Sequence, residues 1–456
     1  MRMTGLMAGT ALAGALLIVP ASGLAAETNA QLEARVRGLE AALISLRTEM
    51  ATNREAARSE AAKGEQRIVL LETRPPAPPA QAATPAHAVS SPENGFRVGS
   101  TLISYGGFVK LDAMVSDFQR ADPALGDAGR DFYLPGAIPV TGAGEGTKVD
   151  LNARQTRLWF TTSSAVAGHK VASRVEGDFQ VLPGSGDART TNPANFSLRR
   201  AYVTVDNWLF GQEWSNFQNI AVLPESADYI GSSEGTVFAR QAQVRYTRGH
   251  FAIALENPET TVTPFGGGAR IITDDSGLPD LTARLDLKTS FGDFALTGLV
   301  RQLAIHQGAL NAKTTGRGVS ASGKIKAGAR DDLRFMLTAG EGIGRYVGLN
   351  FANDAVVDAT GDLEAIPLTA GFVAYRHVWT SALRSTVMYS AQTVDNPRTL
   401  TGLAVNRSAS SVHGNLIWSP FKGLDVGAEY LAGKRELESG VSGDLRRLQA
   451  FVKYGF

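Results

Sequence analysis

Leu281-Thr282-Ala283-Arg284-Leu285-Asp286-Leu287-Lys288 is the stretch that decides the architecture. Apolar residues occupy every odd position from 281, and Arg284, Asp286 and Lys288 occupy even ones. A period of two puts these sets on opposite faces of an extended strand, one greasy and one charged. The alternation recurs along the chain. Val171, Ser173, Val175, Gly177 and Phe179 alternate with Lys170, Arg174, Glu176 and Asp178. Val319, Ala321 and Ile325 alternate with Ser320, Ser322, Lys324 and Lys326, and Leu424, Val426, Ala428 and Tyr430 with Asp425 and Glu429. Two-faced strands of about ten residues are the pattern of a transmembrane β-barrel. Strands in a soluble sandwich are nearer about five or six residues.

The connections agree with a barrel. Short ones fall at Asp206-Asn207, Arg248-Gly249-His250, Gly292-Asp293, Gly328-Ala329-Arg330, Thr380-Ser381 and Pro420-Phe421-Lys422-Gly423. Long ones fall around residues 118–148, 182–194, 215–236, 258–277, 305–316, 343–365, 395–408 and 436–442. Alternating tight turns and long loops mark the periplasmic and extracellular ends of such barrels. Counting between them gives sixteen strands over residues 96–456, and a barrel of that size encloses an aqueous channel. The fold expected is therefore all-β, a sixteen-stranded antiparallel transmembrane barrel. Leu448, Ala450, Val452, Tyr454 and Phe456 form one outward face ending on an aromatic, which resembles the signal read by barrel assembly machinery.

Ahead of the barrel, Arg2, the apolar run Leu6–Val19, Pro20 and Gly23-Leu24-Ala25 read as a signal peptide over residues 1–25. The apolar run is short of the about 20 residues that span a bilayer. Leu32, Val36, Leu39, Leu43, Leu46 and Met50 alternate steps of four and three, the seam of a coiled coil over residues 26–74. Pro75, Pro76, Pro78, Pro79 and Pro85 then make a semi-rigid spacer over residues 75–95. An exported chain without apolar helices can cross a membrane only as a closed barrel. The location expected is the outer membrane of a Gram-negative bacterium, with the coiled coil in the periplasm.

Composition removes other classes. Cysteine is absent from the 456 residues, so no disulfide, thiolate metal site or cysteine nucleophile exists. Forty-five basic residues against 44 acidic ones argue against nucleic-acid binding, which needs a basic surplus. No cofactor or metal is expected.

If apolar faces meet lipid, the opposite faces line the channel. That phase turns Lys110, Arg157, Arg174, Arg200, Arg245, Arg284, Arg334, Arg384 and Lys453 inward, with Lys170, Lys288, Arg301, Lys324, Lys326, Arg435 and Arg447. The acids on the same face are Asp112, Glu176, Asp178, Glu256, Asp286, Asp425 and Glu429. Sixteen bases against seven acids in a water-filled lumen would concentrate anions. Cross-strand pairing of the same charges is the competing outcome. The third long loop, Ser215 to Thr236, follows the fifth strand and is expected to fold inward as a constriction carrying Glu225, Asp228 and Tyr229.

Several segments resemble the DcaP-like trimeric outer-membrane porins. They are Tyr105-Gly106-Gly107-Phe108-Val109-Lys110-Leu111-Asp112-Ala113, Ala153-Arg154-Gln155-Thr156-Arg157-Leu158 and Val175-Glu176-Gly177-Asp178-Phe179. Leu198-Arg199-Arg200-Ala201-Tyr202, Gly211-Gln212-Glu213-Trp214-Ser215-Asn216-Phe217 and Arg240-Gln241-Ala242-Gln243-Val244-Arg245-Tyr246 add to them, as does the coiled coil before the barrel. The C-terminal half matches less clearly. The resemblance implies a homotrimer in outer-membrane lipid and lipopolysaccharide that passes small anionic solutes, dicarboxylates among them, by passive diffusion. It makes Lys110, Arg157, Arg200 and Arg245 lumen residues near the path. Glu213 and Trp159 stand where smaller or uncharged residues are expected. A phosphate-type or general porin and a tether acting through the coiled coil are the alternatives. An enzyme is the remaining rival: His413 can lie beside Ser411, but no spacing specifies the third member of a triad. The run Gly266-Gly267-Gly268 lacks the lysine of a phosphate loop.

Overall fold

The computed structural model describes residues 95–180 and 194–456. The expected signal peptide, coiled coil and all of the spacer but Gly95 lie outside these residues, as does most of the second long loop.

Sixteen antiparallel strands close on themselves. They are β1 Thr101–Phe118, β2 in two pieces (Lys148–Asn152 and Arg157–Val166), β3 His169–Asp178, β4 Ser197–Val205, β5 Trp208–Trp214 and β6 Arg240–Arg248. Next come β7 Phe251–Glu256, β8 Asp280–Lys288, β9 Gly292–Gln307, β10 Leu310–Ala327 and β11 Asp331–Glu341. The last five are β12 Pro367–Val378, β13 Leu383–Val394, β14 Asn406–Phe421, β15 Leu424–Leu437 and β16 Ser442–Gly455. Each pairs with the next, and β1 pairs with β16 from Phe108↔Gly455 to Phe118↔Leu445, so no wall strand is left with a free edge there. A short strand, Gly95–Val98, turns at Gly99 in the left-handed region (φ 61°) and adds to the lower part of β1.

Burial inverts the rule for soluble proteins. Leu281, Leu285 and Leu287 are exposed on the outside, as are Val109, Leu111, Val175, Leu296, Val300, Val412, Leu416, Leu448 and Val452. Lys110, Asp112, Glu176, Asp178, Arg301, Glu429 and Arg447 are buried on the inside. An apolar exterior with a charged interior fits lipid outside and water or loops within. Trp208, Phe251, Phe291, Trp379, Phe421 and Phe456 stand exposed near the short turns, forming an aromatic girdle at that rim. Among the described residues no helix is long and apolar enough to cross a membrane. The strands do the crossing.

Three local departures from the sequence reading have physical causes. β9 and β10 run continuously to a two-residue turn at residues 308–309, so the long loop expected at 305–316 is a strand extension. There the hairpin leaves the apolar band and packs against a four-stranded loop sheet (Thr260–Thr263, Ile271–Thr273, Ala355–Val357, Leu363–Ala365). Gly292 and Asp293 belong to β9, and the turn before it is residues 289–291. In the β3–β4 pair the register shifts between Glu176↔Arg200 and Gly177↔Leu198, leaving Arg199 as the extra residue of a bulge.

Candidate solute pathway

The loop between β5 and β6, residues 215–239, here L3, folds into the barrel. It follows the inner wall before it returns. Arg284 of β8 donates to the Gln218 carbonyl (2.7 Å), Thr297 of β9 to that of Phe217 (3.0 Å), and Arg334 of β11 to that of Leu223 (2.5 Å). Arg384 of β13 pairs with Glu225 at 2.7 Å, and Asn415 of β14 donates to the Glu225 carbonyl. Glu429 of β15 accepts from Ser226 Oγ and the Ala227 amide, both at 2.8 Å. Lys110 of β1 and Gln449 of β16 donate to the Ala227 carbonyl at 2.6 and 2.9 Å. These bonds satisfy loop backbone groups that would otherwise be buried without water. Beyond them Tyr229 reaches β3, two strands on from β1, where its hydroxyl donates to Asp178 (3.1 Å).

The first long loop, residues 119–147, also turns inward. Tyr133 donates its amide to Asp228 (2.7 Å), while Arg435 donates to the carbonyls of Gly136 and Ile138 and Arg447 to that of Gly129. Two expected lumen cations are thereby committed to holding a loop. Behind this contact, burial holds the Glu234 carboxyl above its usual range. Burial, with Glu234 beside it, pushes the Tyr133 phenol well above its own.

On the wall from β2 to β6, Arg157 pairs with Asp178 (3.1 Å), Arg174 with Glu176 (2.6 Å) and Arg200 with Glu213 (2.5 Å). Their side chains remain 21, 21 and 17 % exposed, so each presents a guanidinium edge to the lumen. Arg174 lies over Trp159 at 5.1 Å. A Cβ on Gly106 would stand 2.8 Å from that indole, so glycine there lets Trp159 lie against the wall. Arg245 donates to Gln243 (2.9 Å) and to the Trp214 carbonyl, and has no carboxylate partner among the described residues. A stack of cations and rings runs along this side: Arg240 over Trp214 (4.8 Å), Arg199 over Trp214 (5.7 Å) and over Tyr229 (5.4 Å), Arg157 over Tyr229 (5.8 Å) and over Phe108 (5.4 Å). Lys453 extends it over Phe108 at 5.9 Å.

The remaining expected site residues are paired. Lys110 contacts Asp112 (2.9 Å) and is buried behind L3, Arg284 binds Asp286, Arg334 binds Asp332, and Arg384 and Lys453 share Asp425. Of the constriction-loop residues, only Tyr229 meets the arginine wall. Glu225 is neutralised by Arg384, and Asp228 accepts the amides of Tyr133, Ile230 and Gly231, so it folds the loop. The surplus of sixteen over seven is accordingly reduced: L3 carries Glu225 and Glu234 back inside, and the wall adds Glu213, Asp280 and Asp332. Arg199 and Arg240 are cations that strict alternation does not assign. The double arginine Arg199-Arg200 was the available signal for a bulge.

The Ser411–His413 pair does acquire a third member. His413 Nε2 lies 3.1 Å from Ser411 Oγ, and Nδ1 lies 2.8 Å from Glu429. All three are buried (2, 0 and 2 % exposed), with Tyr133 edge-on to the imidazole and Glu429 engaged with L3. A nucleophile needs an approach for its substrate, and this serine is covered. The arrangement serves loop anchorage.

A closed sixteen-stranded barrel, apolar outside and charged inside with a loop laid along its lumen, defines an outer-membrane channel protein. More particularly, the chain belongs to the DcaP outer membrane protein family, whose model matches residues 90–456. The outer membrane channel DcaP of Acinetobacter baumannii superposes with a TM-score of 0.66 at 25 % identity, covering 80 % of this chain and 100 % of that one. OmpT of Vibrio cholerae gives 0.49 at 11 % identity over 80 % and 100 %, and an anion-selective porin from Comamonas acidovorans 0.49 at 10 % over 78 % and 100 %. Curated protein sequences give no match. The resemblance read from the motifs of the N-terminal half is borne out, and family and fold alike are those of an outer-membrane channel.

Proposed function

We propose that the protein is a passive porin for small anionic solutes, dicarboxylates among them, acting as a homotrimer. One observation carries this reading. Between β2 and β6, Arg157, Arg174, Arg199, Arg200, Arg240 and Arg245 face only Glu176, Asp178 and Glu213 among the ion pairs there. The local surplus is positive although the whole chain is nearly neutral. Low-dielectric walls focus such a field into the channel and raise the local concentration of anions. Because each exposed guanidinium already has a partner or a ring beneath it, a solute carboxylate would exchange briefly with these edges and move on. Conduction requires that balance of entry and release. No energy coupling enters. Outer-membrane lipid, lipopolysaccharide and assembly machinery acting on Phe456 complete the proposed partners. The test is a planar bilayer under a salt gradient: large conductance steps closing in thirds with an anion-selective reversal potential support the reading. Cation preference overturns it, and saturation by phosphate but not by dicarboxylates replaces the solute class.

A further inference from the structure

The paired wall residues pose a charge problem. Arg157, Arg174 and Arg200 are each matched by a carboxylate, Asp178, Glu176 and Glu213 respectively. Three against three cancel within these pairs, so the surplus of this wall comes from the arginines outside them, Arg199, Arg240 and Arg245. Of these, Arg199 reaches the paired carboxylates themselves: it is 3 % exposed and contacts both Glu176 (3.0 Å) and Asp178 (2.7 Å). It also contacts the Tyr229 hydroxyl and lies over Trp214. It is there because the β3–β4 bulge turns two consecutive arginines toward one carboxylate: Arg200 also reaches Glu176, at 3.4 Å.

We infer that Arg199 is a selectivity-determining positioning residue: without touching solute, it occupies Glu176 and Asp178 and frees the exposed edges of Arg157 and Arg174 for anions. A carboxylate divided between two guanidiniums holds each of them less completely than one serving a single partner. The added charge also sits in low dielectric, where its field reaches the lumen with less screening than an exposed charge. This rests on the anion-porin reading for its biological meaning, but its electrostatic claim stands apart from it.

The experiment compares reversal potentials of wild type, Arg199→Gln, Arg199→Lys, Arg199→Gln/Asp178→Asn and Arg174→Gln in bilayers, after heat-modifiable gel mobility has established folding of each. Arg199→Gln is expected to lower the anion-to-cation permeability ratio roughly twofold or more, at least as far as removal of the exposed Arg174. Arg199→Lys should keep most of the ratio, since charge is retained. The double variant should restore it, because one carboxylate leaves with one cation. A merely structural role would move folding or conductance noise but not be rescued by Asp178→Asn. An unchanged ratio in a folded Arg199→Gln barrel, or no recovery in the double variant, overturns the inference. A wild type that favours cations, with Arg199→Gln shifted further the same way, would sink the anion-porin reading and leave this inference standing.

Discussion

Lys110 and Arg245 both face the lumen, yet they are spent differently. Lys110 donates to Gln155 and the Ala227 carbonyl, beside Asp112, and is 5 % exposed. Arg245 rests on neutral acceptors, so its charge is uncompensated by a direct partner. Arg245→Ala should therefore lower the anion-to-cation permeability ratio, by roughly twofold, with assembly intact. Lys110→Met should leave the ratio nearly unchanged and raise open-channel current noise, since it removes one of the two donors, with Gln449, that hold the Ala227 carbonyl of L3. Single-channel recording separates the two, and equal effects on selectivity would refute the distinction. At this scale the sequence was legible as a phase: period two turned all nine expected cations inward. Same-strand partners two residues apart, such as Arg174–Glu176 and Arg284–Asp286, were within reach of that reading, whereas Arg157–Asp178, Arg200–Glu213 and Arg384–Asp425 depend on cross-strand register, which alternation does not specify. Arg199 was hidden for a different reason, since a bulge breaks the alternation on which the phase rests.

Loop L3 behaves as an element anchored at many points, with its tightest anchor at Glu429. That carboxylate accepts from Ser226, Ala227 and Asn415 of its surroundings and from His413. Removing a buried, multiply bonded carboxylate leaves its donors without partners, at a cost of about 3 kcal/mol. Glu429→Ala should loosen the segment around residues 226–229 and give larger, noisier conductance with faster proteolysis within L3. Arg384→Ala should do the same more weakly, because Glu225 is 29 % exposed and water can replace its partner. Limited proteolysis of the folded barrel reads both; a protected loop in Glu429→Ala would contradict the anchoring. The inward course of L3 was expected from its position after the fifth strand, and the sixteen strands from alternation between turns. The inward first loop was not expected, because its anchors are Arg435 and Arg447, about 300 residues away in sequence. The β9–β10 extension was missed because beyond the apolar band a strand no longer needs a lipid face.

As a whole molecule the barrel closes within the described residues. β1 and β16 close it directly, and Phe456 exchanges both backbone hydrogen bonds with Gly107 (3.1 and 3.2 Å). The closure and the arginine wall that the proposed conduction relies on all lie within residues 101–456. If the protein is a porin, deleting residues 26–94 with residues 1–25 retained should leave unit conductance and reversal potential as in wild type, while the heat stability of the proposed trimer falls. The loss of stability follows from removing a heptad seam able to join copies of the chain. If instead the protein is a tether working through the coiled coil, the same deletion abolishes its role whatever the barrel conducts. Bilayer recording and unheated gel mobility on one preparation decide between these. Substituting Phe456→Ser gives the complementary result: the apolar exterior and the strand pairing are almost intact, so molecules that do insert should conduct normally. The amount of barrel reaching the outer membrane should nevertheless drop, because the terminal aromatic acts before closure. A normal yield of Phe456→Ser barrels would show that the last residue contributes only its backbone.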